Sequence, residues 1–75
     1  MGRLANQTYR QVIKKLKKLG FDEFYRQAAG SHELWHHPER NIFTTISNHP
    51  GNIPEGTVRA IVKQAQVAID DFLQA

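Results

Sequence analysis

The sequence contains no cysteine, so neither a disulfide bond nor a thiolate zinc site can reinforce the fold. With 75 residues the chain has material for one small apolar core, and we expect a single domain spanning residues 1–75. Also missing is any apolar run close to the roughly 18 residues that cross a membrane. No short apolar block of the signal-peptide kind follows the N-terminus. These absences predict a cytoplasmic protein with no membrane partner.

Acidic residues are absent from the first 21 positions, which hold six lysine and arginine residues. The other positions hold four cations and seven acids, so the net charge of +3 comes from the N-terminal part. Such an asymmetry favours a polyanionic partner. A lysine-rich helix face that only keeps a small domain soluble would give the same pattern, and charge alone leaves both interpretations open.

Apolar residues recur at helical spacing over residues 9–19 and predict a first helix of about three turns. Asn6 or Thr8 is expected to cap the start of this helix. Gly20 follows at the position where a glycine commonly ends a helix. The lysines lie between the apolar positions, so we expect them on the outward face and flanks of the helix, open to solvent or phosphate.

Residues 47–55 contain two prolines and a glycine and are predicted to form a loop. Pro54, near its end, is placed where a second helix is expected to start. Its apolar stripe continues in phase towards the end of the chain. The helix therefore either runs close to the C-terminus or breaks near Val67 into a separate short turn.

Between the helices, β-branched and aromatic residues predict strands over residues 24–27, 31–37 and 42–46. Alternation along the second strand separates its side chains into two sets, and composition does not say which set is buried. One set is His32, Leu34 and His36, and the other is Glu33, Trp35 and His37.

The predicted order is helix, strand, strand, strand, helix, which places the protein in the α+β class. Each helix has one apolar stripe, so both helices are expected to cover one face of a three-stranded antiparallel sheet. The other face of the sheet is then left to solvent or to a partner.

The four histidines do not have the spacing of a metal site. His32 and His36 share a strand face but lie about 13 Å apart along it, and His36 and His37 point to opposite faces. No helical H-E-x-x-H pair or carboxylate cluster is present. We therefore expect no metal and no cofactor.

His32 is a candidate for metal-free chemistry on RNA. The 2′-hydroxyl of RNA is an internal nucleophile, so its cleavage needs a base, an acid and cations around the phosphate, and imidazole can transfer protons near neutral pH. Gly30 before Ser31 and His32 would let the backbone approach a phosphate closely. The alternative from spacing alone is that His32 only begins a strand, because most single histidines are not catalytic.

Three ordered segments carry a family resemblance. They are LKKLGF at residues 16–21, YRQAAGSHELW at 25–35 and TTISNHPGNIPEGTVRAIVKQA at 44–65. Together they resemble the HicA family, the toxin half of HicA–HicB toxin–antitoxin modules. The resemblance implies a fold similar to the double-stranded RNA-binding domain. It also implies a metal-independent ribonuclease that cuts mRNA, arrests translation and is neutralised by a cognate HicB-type antitoxin.

The resemblance maps the essential histidine of the family's Gly-Ser-His motif onto His32. We expect Gly30 and Ser31 to shape the approach of the phosphate and His49 to be a possible second participant. Three cations are candidate phosphate contacts: Arg26, Arg59 and Lys63.

The chain departs from the family pattern at three positions. The family usually has proline where Ser47 stands, often glycine where Gln66 stands, and serine or threonine where Ala68 stands. These differences concern the boundary of the last helix and not the residues of the expected chemistry.

A function from another class remains open. In that alternative the protein is a non-catalytic RNA-binding module of the same fold, whose helix lysines grip a duplex by its phosphates. His32 would then be incidental. An antitoxin or other protein partner on the open sheet face is compatible with either function.

Overall fold

The computed structural model describes residues 3–26, 32–48 and 50–75, and it describes residues 24–26 by their backbone alone. The elements in chain order are β1 (Gln7–Thr8), α1 (Tyr9–Lys18), β2 (Asp22–Arg26), β3 (His32–His37), β4 (Ile42–Ser47), β5 (Asn52–Ile53), α2 (Glu55–Ala65) and α3 (Ile69–Gln74). Strands β2, β3 and β4 form an antiparallel sheet in that spatial order. The α+β class and the α-β-β-β-α layout of the double-stranded RNA-binding domain are therefore confirmed.

Helix α1 begins with a capping box. The Oγ1 of Thr8 accepts from the Gln11 N–H at 3.2 Å, and the Gln11 Oε1 accepts from the Thr8 N–H at 2.9 Å. Two backbone donors that a helix start would leave unpaired are thus satisfied. Of the two predicted caps, Thr8 is the cap, whereas Asn6 lies before it in a left-handed conformation at φ 62°.

Helix α1 ends at a glycine, as predicted. Gly20 has φ +102°, and the next N–H, that of Phe21, donates back to the carbonyl of Leu16 at 2.9 Å. This bond closes the helix in the Schellman manner. A Cβ on Gly20 would lie 2.7 Å from the Nε2 of His37, so the position is closed to larger residues by space as well as by backbone angle.

The strand boundaries differ from the predictions by one or two residues. Strand β2 begins at Asp22 and not at residue 24, because pairing with β3 extends it past the aromatic residues, through an irregularity between Glu23 and Tyr25. Strand β4 runs one residue further than predicted, to Ser47, which pairs with His32. Gln27 and Ser31, predicted as strand residues, lie outside the described residues.

The predicted loop over residues 47–55 is interrupted by β5, which pairs antiparallel with β1. The expectation of a loop throughout was wrong at Asn52–Ile53. Strands of two residues show no alternation, so the sequence gives no local signal for this ribbon. The buried side chain of Ile53 ties the ribbon to the core.

Both helices pack on the same face of the sheet, as predicted. From α1, the Tyr9 hydroxyl reaches Glu33, and from α2 the carbonyl of Ile61 accepts from the Thr44 hydroxyl at 3.0 Å. The buried apolar core lies between these layers and consists of Leu4, Val12, Leu16, Phe21, Trp35, Ile46, Ile53, Val58, Ile61, Val62, Ala65 and Phe72.

The C-terminal stripe breaks, which decides between the two alternatives left open by the sequence. Gln66 adopts φ +57° and ψ +40° and ends α2, and α3 begins after Ala68 without a side-chain cap. Phe72 of α3 is fully buried. Arg3 bonds to the carboxylate of Asp70, so α3 is also tied to the start of the described chain.

We predict that Gly20→Ala lowers the free energy of unfolding by roughly 1–3 kcal/mol, because the new Cβ meets the His37 ring at a positive φ. Urea unfolding would measure it. Gly51→Ala is the matched control: φ is +72°, and no described atom lies within 4 Å of its Cβ. The control should cost only the backbone part, about 1 kcal/mol. Equal losses for both variants would contradict the predicted clash.

We predict that Gln66→Gly raises the free energy of unfolding by roughly 0.5–1 kcal/mol, because glycine adopts the observed left-handed conformation without a Cβ penalty. Ala60→Gly, at an exposed interior position of α2, should instead lower it by about 1 kcal/mol. Opposite signs in parallel urea titrations would support the prediction, and a loss at both positions would refute it.

Candidate active site

His32 is the first residue of β3, and its side chain is exposed. Across the sheet it pairs with Ser47 of β4. Its strand neighbour Glu33 is buried against α1, so alternation directs His32 to the opposite face of the sheet, away from both helices. The imidazole is therefore exposed on the sheet face that none of the described helices covers, which is called the outer face below.

A buried hydrogen-bond network fixes the face that His32 occupies. Glu33 is 2% exposed, and its carboxylate accepts from the Tyr9 hydroxyl at 2.5 and 2.7 Å and from the Trp35 Nε1–H at 3.0 Å. A carboxylate at this depth is expensive to leave unpaired. Turning β3 over would expose Trp35 and break these bonds, so the network holds the register of the strand.

The other set of β3 side chains extends the outer face beyond His32. Leu34 and His36 are partly buried there, and His36 pairs across the sheet with Phe43 of β4. The two rings stack, with centroids 4.3 Å apart and planes inclined by 23°. Phe43 is 39% exposed and is the exposed large apolar residue among those described.

The other histidine at the hairpin, His37, is buried, because the set of Glu33, Trp35 and His37 is the one that faces the core. Its ring meets Phe21 edge to face at 5.3 Å, and its Nδ1 accepts from the Arg40 N–H at 3.2 Å. Its low exposure of 9% follows from its place in the inward set with Trp35. Hence His37 is part of the core.

Of the predicted site residues, three lie outside the described residues: Gly30, Ser31 and His49. Arg26 is described by its backbone, which pairs with Glu33 and so ends β2 beside the start of β3. The backbone of Arg26 therefore lies close to the start of β3. The placement of Gly30 and Ser31 relative to His32 stays a prediction.

Arg59 and Lys63, two of the candidate phosphate contacts, are exposed on α2. The Arg59 guanidinium forms an ion pair with the carboxylate of Glu55, one turn earlier, at 3.4 Å. None of the contacts within residues 32–48 and 50–75 joins Arg59 or Lys63 to His32. Gln64, the residue after Lys63, bonds to the sheet, since its Oε1 accepts from the Thr45 N–H at 3.0 Å.

The lysines of α1 differ from one another in accessibility, which qualifies the expectation that all of them are open. Lys15 is partly buried, donates to the carbonyls of Leu73 and Ala75 at 3.1 and 3.3 Å, and lies over the Phe72 ring. The exposed cations of α1 are Arg10, Lys14, Lys17 and Lys18. Because α1 covers the inner face of the sheet, this cationic surface and His32 lie on opposite sides of the sheet.

No three histidine or acidic side chains within the described part of the chain are grouped so as to hold a metal ion. Likewise, no helix formed by the described residues is long and apolar enough to span a bilayer.

One feature of the site is not predicted from the sequence. Tyr9 is part of the apolar stripe of α1, and its hydroxyl also donates to the buried carboxylate of Glu33. The sequence does hold one signal for this contact. Glu33 lies two residues before Trp35 on the same strand face, and if that face is buried the carboxylate needs a buried hydrogen-bond donor.

Comparison with known proteins agrees with the fold. The family described as "HicA toxin of bacterial toxin-antitoxin" matches residues 9–67, from the start of α1 to the break after α2. No curated protein matches the chain. Such a toxin implies a cognate antitoxin as its partner. Because the match covers most of the chain, the protein belongs to the HicA family of bacterial toxins.

Proposed function

We propose that this toxin is a metal-independent ribonuclease that cleaves mRNA and thereby arrests translation, with His32 as the catalytic acid or base. The observation that carries the proposal is the position of His32, which is exposed on the sheet face that none of the described helices covers. An RNA strand lying on that face has direct access to the imidazole.

The reaction needs only groups that RNA and this chain supply. A base removes the proton of the 2′-hydroxyl, the resulting O2′ attacks the adjacent phosphorus, and the bond from phosphorus to the 5′-oxygen breaks. An acid protonates that leaving oxygen, so the products carry a 2′,3′-cyclic phosphate and a 5′-hydroxyl. His32 would perform one or both proton transfers near neutral pH.

Other residues complete the proposed site. Gly30 and Ser31 would let the backbone approach the phosphate, and His49 is a candidate for the second proton transfer. Arg26, whose backbone pairs next to β3, is a candidate for stabilising the charge of the phosphorane. The exposed cations Arg59 and Lys63 would contact phosphates further along the strand.

The outer face also offers a simple route to neutralisation. An antitoxin that covered this face would block His32 without unfolding the toxin, because the face takes no part in the core. We propose that the cognate antitoxin acts in this way.

A second function is favoured by one observation, the four exposed cations on α1. In this alternative the protein is a non-catalytic module that binds duplex RNA through the α1 surface. The two proposals use opposite sides of the sheet, so different variants should affect them.

We predict that His32→Ala lowers the rate of cleavage of a single-stranded RNA by at least about 10²-fold in antitoxin-free protein, because a proton-transfer group is lost. His32 is exposed, so the variant should unfold at the same urea concentration as wild type. A set of RNA oligonucleotides with one 2′-deoxy position each should escape cleavage only at that position. Equal cleavage, or equal growth arrest, by wild type and His32→Ala would end the proposal.

We predict that the double variant Lys14→Ala/Lys18→Ala keeps the cleavage rate of a short single strand within about twofold, because these lysines lie across the sheet from His32. In the binding-module alternative the same variant would lose duplex affinity, and the salt dependence of binding would become shallower. His32→Ala would then change nothing. Gel shifts on duplex RNA together with cleavage assays separate the two functions.

A further inference from the structure

We propose that a cleft between α1 and the residue that follows α3 binds a phosphate monoester through two lysines. The cleft has a volume of about 210 Å³ and is half open to solvent. Its described lining consists of Gln11, Lys14, Lys15, Lys18 and Ala75. This phosphate cleft lies on the helix side of the sheet, so it is separate from the proposed ribonuclease site.

The cationic side of the phosphate cleft follows from helical spacing. Gln11, Lys14 and Lys18 succeed one another at intervals of three and four residues and therefore lie on one face of α1. Lys15 borders the same face. The sequence of α1 contains no acidic residue, so no carboxylate of the helix itself is spaced to pair with these lysines. Positive charge is thus concentrated on this face.

Lys15 forms a wall of the phosphate cleft. Its ammonium donates to the carbonyls of Leu73 and Ala75 at 3.1 and 3.3 Å and lies over the ring of Phe72, 5.8 Å from its centroid. The main-chain oxygen that Ala75 contributes to the lining is therefore already paired with a cation. An incoming anion meets the other two lysines.

Lys14 and Lys18 carry two positive charges that the described chain does not neutralise. Both are exposed, and they lie four residues apart, a spacing at which like charges destabilise a helix. None of the ion pairs formed within residues 3–26, 32–48 and 50–75 includes either lysine. Asp70, on the neighbouring α3, is bound by Arg3. An anion between the two ammonium groups would remove their repulsion.

Gln11 supplies a donor whose position is fixed before any ligand arrives. Its Oε1 accepts from the Thr8 N–H at 2.9 Å in the capping box of α1, and this bond also holds the other side-chain atom, Nε2. An amide nitrogen can only donate. The phosphate cleft thus combines two ammonium groups with an oriented amide, and such preorganisation reduces the entropy cost of binding.

The charge and the size of the phosphate cleft indicate its ligand. A phosphate monoester carries a charge of about −1.5 to −2 at neutral pH and has three acceptor oxygens, which matches two ammonium groups and one amide donor. A phosphodiester or a carboxylate carries a single negative charge. The volume is below the roughly 300–1,000 Å³ of clefts that hold drug-sized ligands, so one phosphate group fits better than a whole nucleotide.

Under the proposed ribonuclease function, the phosphate cleft would distinguish two kinds of RNA end. A phosphorylated 5′ end carries a monoester. Cleavage leaves a 5′-hydroxyl and a singly charged 2′,3′-cyclic phosphate, and neither of these new ends fits the cleft. This consequence rests on the proposed function, whereas the binding of a monoester does not.

The first test titrates the protein with methyl phosphate at constant ionic strength and follows the NMR signal of the Gln11 side-chain amide. The signal should shift in a saturable manner. Lys14→Gln/Lys18→Gln should raise the dissociation constant at least about 5-fold. The matched control is Arg10→Gln/Lys17→Gln, which removes two exposed cations of α1 that do not line the cleft. The control should change the dissociation constant by less than about 2-fold, because screened charges outside the cleft contribute little.

Two other anions test the preference for a monoester. Dimethyl phosphate, a diester, and acetate each carry one charge, and both should bind at least about 5-fold more weakly than methyl phosphate. The variants should unfold at urea concentrations no lower than that of wild type, because the replaced side chains are exposed and repulsion between like charges is reduced. A loss of binding therefore does not reflect a loss of fold.

Two larger probes identify the source of the monoester. They are adenosine 5′-monophosphate and a 5′-phosphorylated tetraribonucleotide, both tested in His32→Ala protein so that cleavage plays no part. Both should displace methyl phosphate. Tighter binding of the tetranucleotide would support an RNA end as the ligand, and equal binding would support a free nucleotide.

The proposal would be overturned if methyl phosphate caused no saturable shift, or if the two double variants weakened binding equally, since diffuse charge would then explain the binding. Equal affinity for acetate or dimethyl phosphate would also overturn it, as would the failure of both larger probes to displace methyl phosphate. Failure of His32→Ala to reduce RNA cleavage would contradict the ribonuclease mechanism and leave this binding test intact.

Discussion

The structure depends on which side chains of β3 face the core. Glu33 is bound by Tyr9 and Trp35 inside the protein, and this single network decides which half of the strand is core and which half is surface. A shift by one residue would bury His32, expose Glu33 and Trp35, and break the hydrogen bond from Tyr9 of α1 to Glu33. His32 is therefore exposed because the hydrogen bonds of its neighbour Glu33 place Glu33 on the buried face.

The sheet separates two kinds of surface. On the helix side, α1 presents Arg10, Lys14 and Lys18 to solvent, and on the other side β3 presents His32. Under the ribonuclease function proposed above, the first surface would attract a long RNA electrostatically and cleavage would take place on the second. The excess of positive charge near the N-terminus lies on the helix side of the sheet, away from His32.

The sequence predicts the elements that show a hydrophobic period or end at a glycine. It predicts less well the elements that are defined by pairing with a distant part of the chain. The span of α1, its end at Gly20 and the three-strand meander follow from local patterns, and the structure bears them out. The β1–β5 ribbon does not, because two-residue strands are defined only by each other. The same contrast applies to the candidate site: His32 is proposed from its motif and from the charge of the chain, whereas Tyr9, which bonds to Glu33, lies on a helix 24 residues away in the sequence.

At the free border of β4, the side chain of Gln64 accepts from the main-chain N–H of Thr45, just as the carbonyl of an additional strand would do. A peptide strand that added to the sheet at this edge would first have to displace the side-chain amide of Gln64. Association by strand addition is thereby disfavoured on that border, so ligands are more readily received on the broad surface of the sheet than along its rim.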